Sequence, residues 1–204
     1  MTMNNNYDYS YEWDHKYCYP HSNVLINKLR IEDAEKLRIA EREITSLRIA
    51  NAKLNVIRGD FDLLHLKTIH KYVFGDVYEW AGELRCVNVA KGNMFCNYQF
   101  IEPNAHILFR KLKEENYLKD VPRDEVPLRL AFYLSEINAL HPFREGNGRV
   151  QRLFIEYLAE NIGYQVDFSQ VTDKQMVEAS AASFLCDYAK MNEILMAITE
   201  PLSE

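Results

Sequence analysis

Residues 127–161 read PLRLAFYLSEINAL HPFREGNGRVQRLFIEYLAEN, two periodic apolar runs separated by a polar, glycine-containing loop. Leu130, Leu134 and Ile137 line one face of a helix expected from Pro127 to Leu140. Val150, Leu153, Phe154, Tyr157 and Leu158 do the same for a helix from Arg149 to Asn161. Two amphipathic helices flanking one charged loop place the centre of the fold, and any chemistry, at His141–Arg152.

The loop is dense in groups suited to phosphate. Gly146 and Gly148 bracket Asn147 just ahead of the second helix. Glycines tolerate the backbone angles that turn successive N–H groups toward one point, making an anion nest. A helix N-terminus adds its own unbonded N–H groups and positive dipole end. Arg149 and Arg152 lie three residues apart, on one helical face. Two guanidinium forks over such a nest suit a polyphosphate better than a lone carboxylate. Glu145 beside it is the kind of single carboxylate that holds magnesium while phosphate oxygens complete the shell. His141 is a base within reach of an attacking hydroxyl, and Phe143 reads as the anchor that pins the loop to the core. Each has a structural reading alone: a helix-end histidine caps carbonyls, and arginines at i and i+3 often form a solvated face. In this order within twelve residues they point together to phosphate chemistry.

Outward from the loop, Asp33 to Leu54 is helical, with Leu37, Ala40, Ile44, Leu47 and Leu54 on one stripe and Glu41, Arg42 and Arg48 off it. Asp33 is its expected N-cap. A second helix runs from about Asp60 to Phe74, stopped by Gly75. Between Trp80 and Ile101 the period changes. Arg85 to Val89 alternates, Ala90-Lys91-Gly92-Asn93 offers a turn, and Met94-Phe95-Cys96 returns, which predicts one hairpin. Helices follow over 103–116 and, as a final pair, over 173–199. Residues 1–24, rich in tyrosine (Tyr7, Tyr9, Tyr11, Tyr17, Tyr19), read as an aromatic strap, and residues 25–200 as the domain proper, with helix 33–54 as its N-terminal extension. The expected class is all-α with one small β-hairpin.

The run His141-Pro142-Phe143-Arg144-Glu145-Gly146-Asn147-Gly148-Arg149-Val150-Gln151-Arg152 resembles, without a mismatch, the Fic-domain signature His-x-Phe-x-(Asp/Glu)-Gly-Asn-Gly-Arg-x-x-Arg. Phe61-Asp62, His65-Leu66, Ile69-His70, Asp76-Val77-Tyr78 and Trp80-Ala81-Gly82 are similar to the segment leading into the Fic flap. The resemblance covers roughly residues 20–195. It implies a protein adenylyltransferase that moves AMP from ATP onto a Tyr, Thr or Ser hydroxyl of a target protein. By it His141 is the catalytic base and Glu145 binds Mg2+. Gly146, Asn147 and Gly148 hold the phosphates, while Arg149 and Arg152 grip the β and γ groups. It further implies that the flap, here Met94, Phe95, Cys96, Asn97 and Tyr98, docks an extended stretch of the target. Alternatives are transfer of UMP, GMP or phosphocholine, since base selection lies outside the motif, and a non-catalytic protein-binding module.

Bulk properties narrow the partners. A net charge of −6 opposes non-specific nucleic-acid binding, which rests on Lys and Arg neutralising phosphates. No apolar run reaches the ~20 residues of a membrane helix, and the N-terminus lacks a signal-peptide pattern. A cytoplasmic protein, or one exported into a host cell, is expected. Cys18, Cys86, Cys96 and Cys186 form no C-x-x-C pair, which argues against structural zinc. Fic proteins often carry an inhibitory helix, (Ser/Thr)-x-x-x-Glu-(Gly/Asn), and neither end of this chain fits it. The expectation is a constitutively competent enzyme or one restrained by a separate small antitoxin. A homo-oligomer is left open.

Overall fold

In a computed structural model, which describes residues 10–11, 16–91 and 93–202, helix α4 (Val126–Leu140) is the axle of the domain. Leu130, Ala131, Tyr133, Leu134 and Ile137 are almost fully buried on it, so its sides are enclosed by other helices. Those neighbours are α3 (Ile101–Glu114), α5 (Asn147–Glu160), α6 (Asp173–Phe184) and α7 (Ala189–Ile198). Two more helices, α1 (Ala34–Leu54) and α2 (Leu63–Phe74), pack on each other, and α2 also packs on α5. The predominantly helical class read from the sequence is the one observed.

The helix starts follow capping chemistry. Asp33 Oδ1 accepts from Lys36 N at 2.8 Å and Asp62 Oδ1 from His65 N at 2.7 Å. Thr172 and Gln175 close a reciprocal capping box at the start of α6. Helix α4 ends where His141 takes a left-handed conformation (φ 45°) while its N–H still bonds Ile137 O. Five residues on, Gly146 (φ 82°) turns the chain into α5. The functional loop is thus the tight link between the two most buried helices.

Three readings are corrected. On α1, Leu47 and Leu54 point outward (73% and 84% exposed), while Leu37, Glu41, Thr45 and Ala52 form the buried line. Glu41, assigned to the solvent side, turns inward because Arg149 and Tyr78 stand opposite it. Second, residues 85–88 are not a strand. The hairpin is β2 (Val89–Lys91) against β3 (Asn93–Met94), and the return ends at Met94 because Cys96 N bonds Ala139 O on α4 instead. Third, the sheet content is larger than one hairpin. β1 (Ser10–Tyr11) pairs antiparallel with the far edge of β2, giving the order β1-β2-β3. β4 (Tyr164–Val166) pairs with β5 (Thr199–Pro201), so the last helix stops at Ile198.

Of the strap, Tyr7, Tyr9 and Trp13 lie outside the described residues. Tyr17 is buried, meets Trp80 edge-on at 5.6 Å, and its hydroxyl accepts from Cys86 N at 3.2 Å. Tyr19 is partly buried against the same core.

Candidate active site

Three buried side chains fix the backbone of the loop. Asn147 Oδ1 accepts from Phe143 N (2.8 Å) and its Nδ2 donates to Phe143 O (2.7 Å), which cinches residues 143–147 into a ring. The Asn147 side chain therefore closes the loop. His70, fully buried on α2, donates from Nε2 to Glu145 O (3.0 Å) and accepts Gly82 N–H at Nδ1 (2.8 Å). Burial pulls its pKa down to about 3, so the ring is a neutral strut of fixed tautomer. Phe143 stacks on that ring at 3.9 Å and is buried.

Arg85 is the third support, and the alternating pattern around it gave no hint of its role. It is buried and donates from Nε to His141 O (2.7 Å) and from Nη1 to Val87 O (2.7 Å). Its Nη2 bonds Cys96 O and, at 3.3 Å, Leu140 O. One guanidinium thus satisfies carbonyls at the C-terminus of α4, where a cation also complements the helix dipole. Loss of hydration lowers its pKa to about 10, and it remains charged at neutral pH.

His141 lies under the hairpin, its ring stacked 3.8 Å from that of Phe95. Burial first, then the Arg85 charge, push its pKa down to about 3. At neutral pH it is the free base, the form that can take a proton. Glu145 is 32% exposed at the cleft mouth and accepts Gly146 N–H at 2.8 Å. Desolvation raises its pKa, Glu41 adds to that, and Arg149 opposes it.

The two arginines are placed differently. Arg149 turns toward α1: Nη2 meets Glu41 Oε1 at 2.6 Å, Nη1 donates to Thr45 Oγ1 at 2.9 Å, and Glu145 Oε1 is 3.5 Å away. Arg152 has no ion pair among the described residues and faces the clefts. Of the flap residues, Met94 is exposed in β3 and Phe95 lies on His141. Cys96 is tied to α4, Asn97 caps a 3-10 turn, and Tyr98 begins that turn.

Two adjoining clefts meet at His141, Gly148 and Arg152. One, ≈ 180 Å³, is lined by the loop itself from Arg144 to Arg149. The other, ≈ 350 Å³, has apolar walls from Phe95, Met176, Val177, Ala181 and Phe184, with Lys91, Asp173 and Ser180 among its polar groups. A charged compartment joined to an apolar one has the shape and chemistry of a nucleotide: phosphates on the loop, nucleoside beyond. By sequence alone Glu41 and Arg85 have no role in the site and His70 enters only through its resemblance, since each of the three works through a partner distant in the chain.

Known proteins resemble this chain in sequence and in fold. The chain is 35% identical over 190 residues to a probable protein adenylyltransferase, Fic, of Escherichia coli K12, covering 92% of this chain and 94% of that one. It is 41% identical over 169 residues to the protein adenylyltransferase VbhT of Bartonella schoenbuchensis, covering 82% of this chain but only 35% of that longer protein. Among solved structures, an ADP-bound Fic domain of a Bartonella quintana effector superposes with a TM-score of 0.88 at 31% identity, covering 93% of this chain and 97% of that one. The BepC protein of Bartonella tribocorum with bound AMPPNP gives 0.86 at 28%, covering 93% and 100%. A model of the Fic/DOC family matches residues 60–159, a span holding the His70 strut, the hairpin and the whole loop. Signature, helical frame and relatives of nearly the same length agree, and the chain belongs to the Fic/DOC family.

Proposed function

We propose that the protein transfers the AMP moiety of ATP to a hydroxyl side chain of another protein. The observation that carries this is the meeting of the two clefts at His141, Gly148 and Arg152. The triphosphate lies along the loop, with backbone N–H groups near Gly146–Gly148 and the Arg152 guanidinium answering its charge. The nucleoside fills the apolar cleft beside Phe95, Met176 and Phe184. This seats the α-phosphorus at the junction, beside the His141 ring. His141 takes the proton of the target hydroxyl as its oxygen attacks the α-phosphorus. The bond from that phosphorus to the bridging oxygen breaks, and pyrophosphate leaves with the electron pair. Positioning and fixed charge supply most of the acceleration.

Glu145 is the residue that would hold magnesium. Glu41 makes the shorter contact to Arg149, which leaves Glu145 as the carboxylate in the loop-lined cleft whose oxygen can serve a divalent cation. Magnesium held by Glu145 would supply positive charge against the charge that builds on the leaving pyrophosphate. The target would add as a strand to the hairpin. The edge available for it is β3, since β1 already pairs with the other side of β2.

Intact-mass spectrometry after incubation with ATP and magnesium in a cell lysate tests the reading, with His141→Ala beside it. Gain of one adenylate on the enzyme or on a lysate protein, absent with the variant, is expected. Labelling that persists with His141→Ala would overturn the role given to the base. No labelling with ATP, alongside labelling by another nucleotide, would replace the donor.

A further inference from the structure

Arg149 is held by helix α1 more closely than by its own loop. Its Nη2 lies 2.6 Å from Glu41 Oε1 but 3.5 Å from Glu145 Oε1. Glu41 is itself constrained: the Tyr78 hydroxyl donates to its Oε2, and it is only 8% exposed. Thr45, one turn on, donates to Glu41 O at 2.8 Å and accepts Arg149 Nη1 at 2.9 Å. The guanidinium carbon sits 4.6 Å over the Phe74 ring, which fixes its plane. Four groups outside the loop thus aim one motif arginine, and Arg152 has no such collar among the described residues.

This arrangement decides which carboxylate is spent on Arg149. A guanidinium beside two carboxylates pairs best with the one offering the shorter, better-formed contact. With Glu41 in place that partner is on α1, and Glu145 keeps an oxygen for other use. Without Glu41, the nearest carboxylate to Arg149 is Glu145, four residues away on the same turn. The arginine would close onto it and neutralise the group that faces the phosphates.

We propose that Glu41 is a positioning residue for AMP transfer: by holding Arg149 on helix α1 it keeps the Glu145 carboxylate available to a divalent cation. This rests on the functional reading above and adds a residue outside the signature to the working centre. It also gives α1 a part in the chemistry rather than in packing alone.

The test is the magnesium dependence of the thermal shift produced by an ATP analogue with a methylene bridge between the α and β phosphorus atoms. This readout needs no turnover. Glu41→Ala is expected to raise the magnesium concentration for half of the shift by about tenfold, the lower end for residues that support a metal ligand. Glu41→Gln, equal in size but uncharged, moves it in the same direction. In an Arg149→Ala background the Glu41→Ala change shrinks below about threefold, because the competitor for Glu145 is gone. An unchanged magnesium requirement in the folded Glu41 variants overturns the inference, and so does a full shift that persists without Arg149. If the alanine variant does not fold, Glu41→Gln carries the same test; if neither folds, Glu41 is a structural residue and the inference falls. A wild type with no magnesium-dependent shift overturns the functional reading and this inference with it. A normal wild type beside unaffected variants sinks this inference alone.

Discussion

Gly146 and Arg85 show how single residues set the loop. At φ 82° Gly146 occupies a region costly for L-residues, and a Cβ there would lie 2.1 Å from the Phe74 ring. Gly146→Ala is expected to cost at least about 2 kcal/mol, from left-handed strain and overpacking together, and to abolish transfer. Denaturant melts and the mass assay check this, and a variant of wild-type stability and activity would contradict the tight-turn account. Arg85→Met removes the donors serving His141 O, Val87 O, Cys96 O and Leu140 O. Buried carbonyls left unpaired cost ~1–3 kcal/mol each, so a marked fall in stability is expected. The same change removes a cation that holds down the His141 pKa. The His141 ring should therefore titrate at higher pH in the variant, as NMR of its ring protons would show. Burial is untouched, so the value stays below 6.5.

At the scale of elements, α1 and α5 are joined at their far ends by Tyr157, whose hydroxyl donates to Ala52 O at 2.7 Å, and by the Lys53–Glu156 ion pair at 2.8 Å. Tyr157→Phe keeps the packing and loses that bond together with the one Ile57 N donates to the same hydroxyl, which is expected to cost about 1–2 kcal/mol. Amide exchange should quicken in the last turn of α1 and not in α4; uniform quickening would deny α1 a separate attachment. The elements also show what a sequence can disclose. Helices α4 and α5 and the loop between them were legible because their information is local: apolar spacing, a Gly-Asn-Gly turn, two arginines in phase. Helix α1 was legible in extent but not in orientation. Its buried line contains Glu41 and Thr45, and a polar residue reads as solvent-facing unless its distant partner is known. Arg85 to Val89 alternated for a similar reason. Arg85 and Val87 turn inward to wrap the end of α4, not to pair in a sheet. Strands β4 and β5, three residues each, are too short to show a period. Within the site, the signature residues were legible by motif, while the supports Arg85, His70 and Glu41 were not, because each contact joins segments remote in the chain.

Across the whole molecule, buried neutral histidines tie stability to pH. His65, with Nε2 2.7 Å from Ile57 O, has its pKa lowered by burial, and His70 is lowered to about 3. An unfolded chain protonates both near 6.5, so between that value and the folded ones it binds more protons than the native state. Stability therefore rises with pH in this window and is lost as pH falls below about 6.5, by up to about 1.4 kcal/mol per pH unit for each histidine. A series of melts from pH 7.5 to 5 should show Tm falling, and His65→Gln should flatten the slope; an unchanged slope would remove His65 from the account. The contact between Glu41 and Arg149 spans 108 residues of chain. On a ribosome adding ~5–20 residues per second, the two partners are made roughly 5–20 s apart. During that interval the growing chain has its first helix but no phosphate-binding loop, so an enzyme that modifies other proteins is inert until most of it has been synthesised.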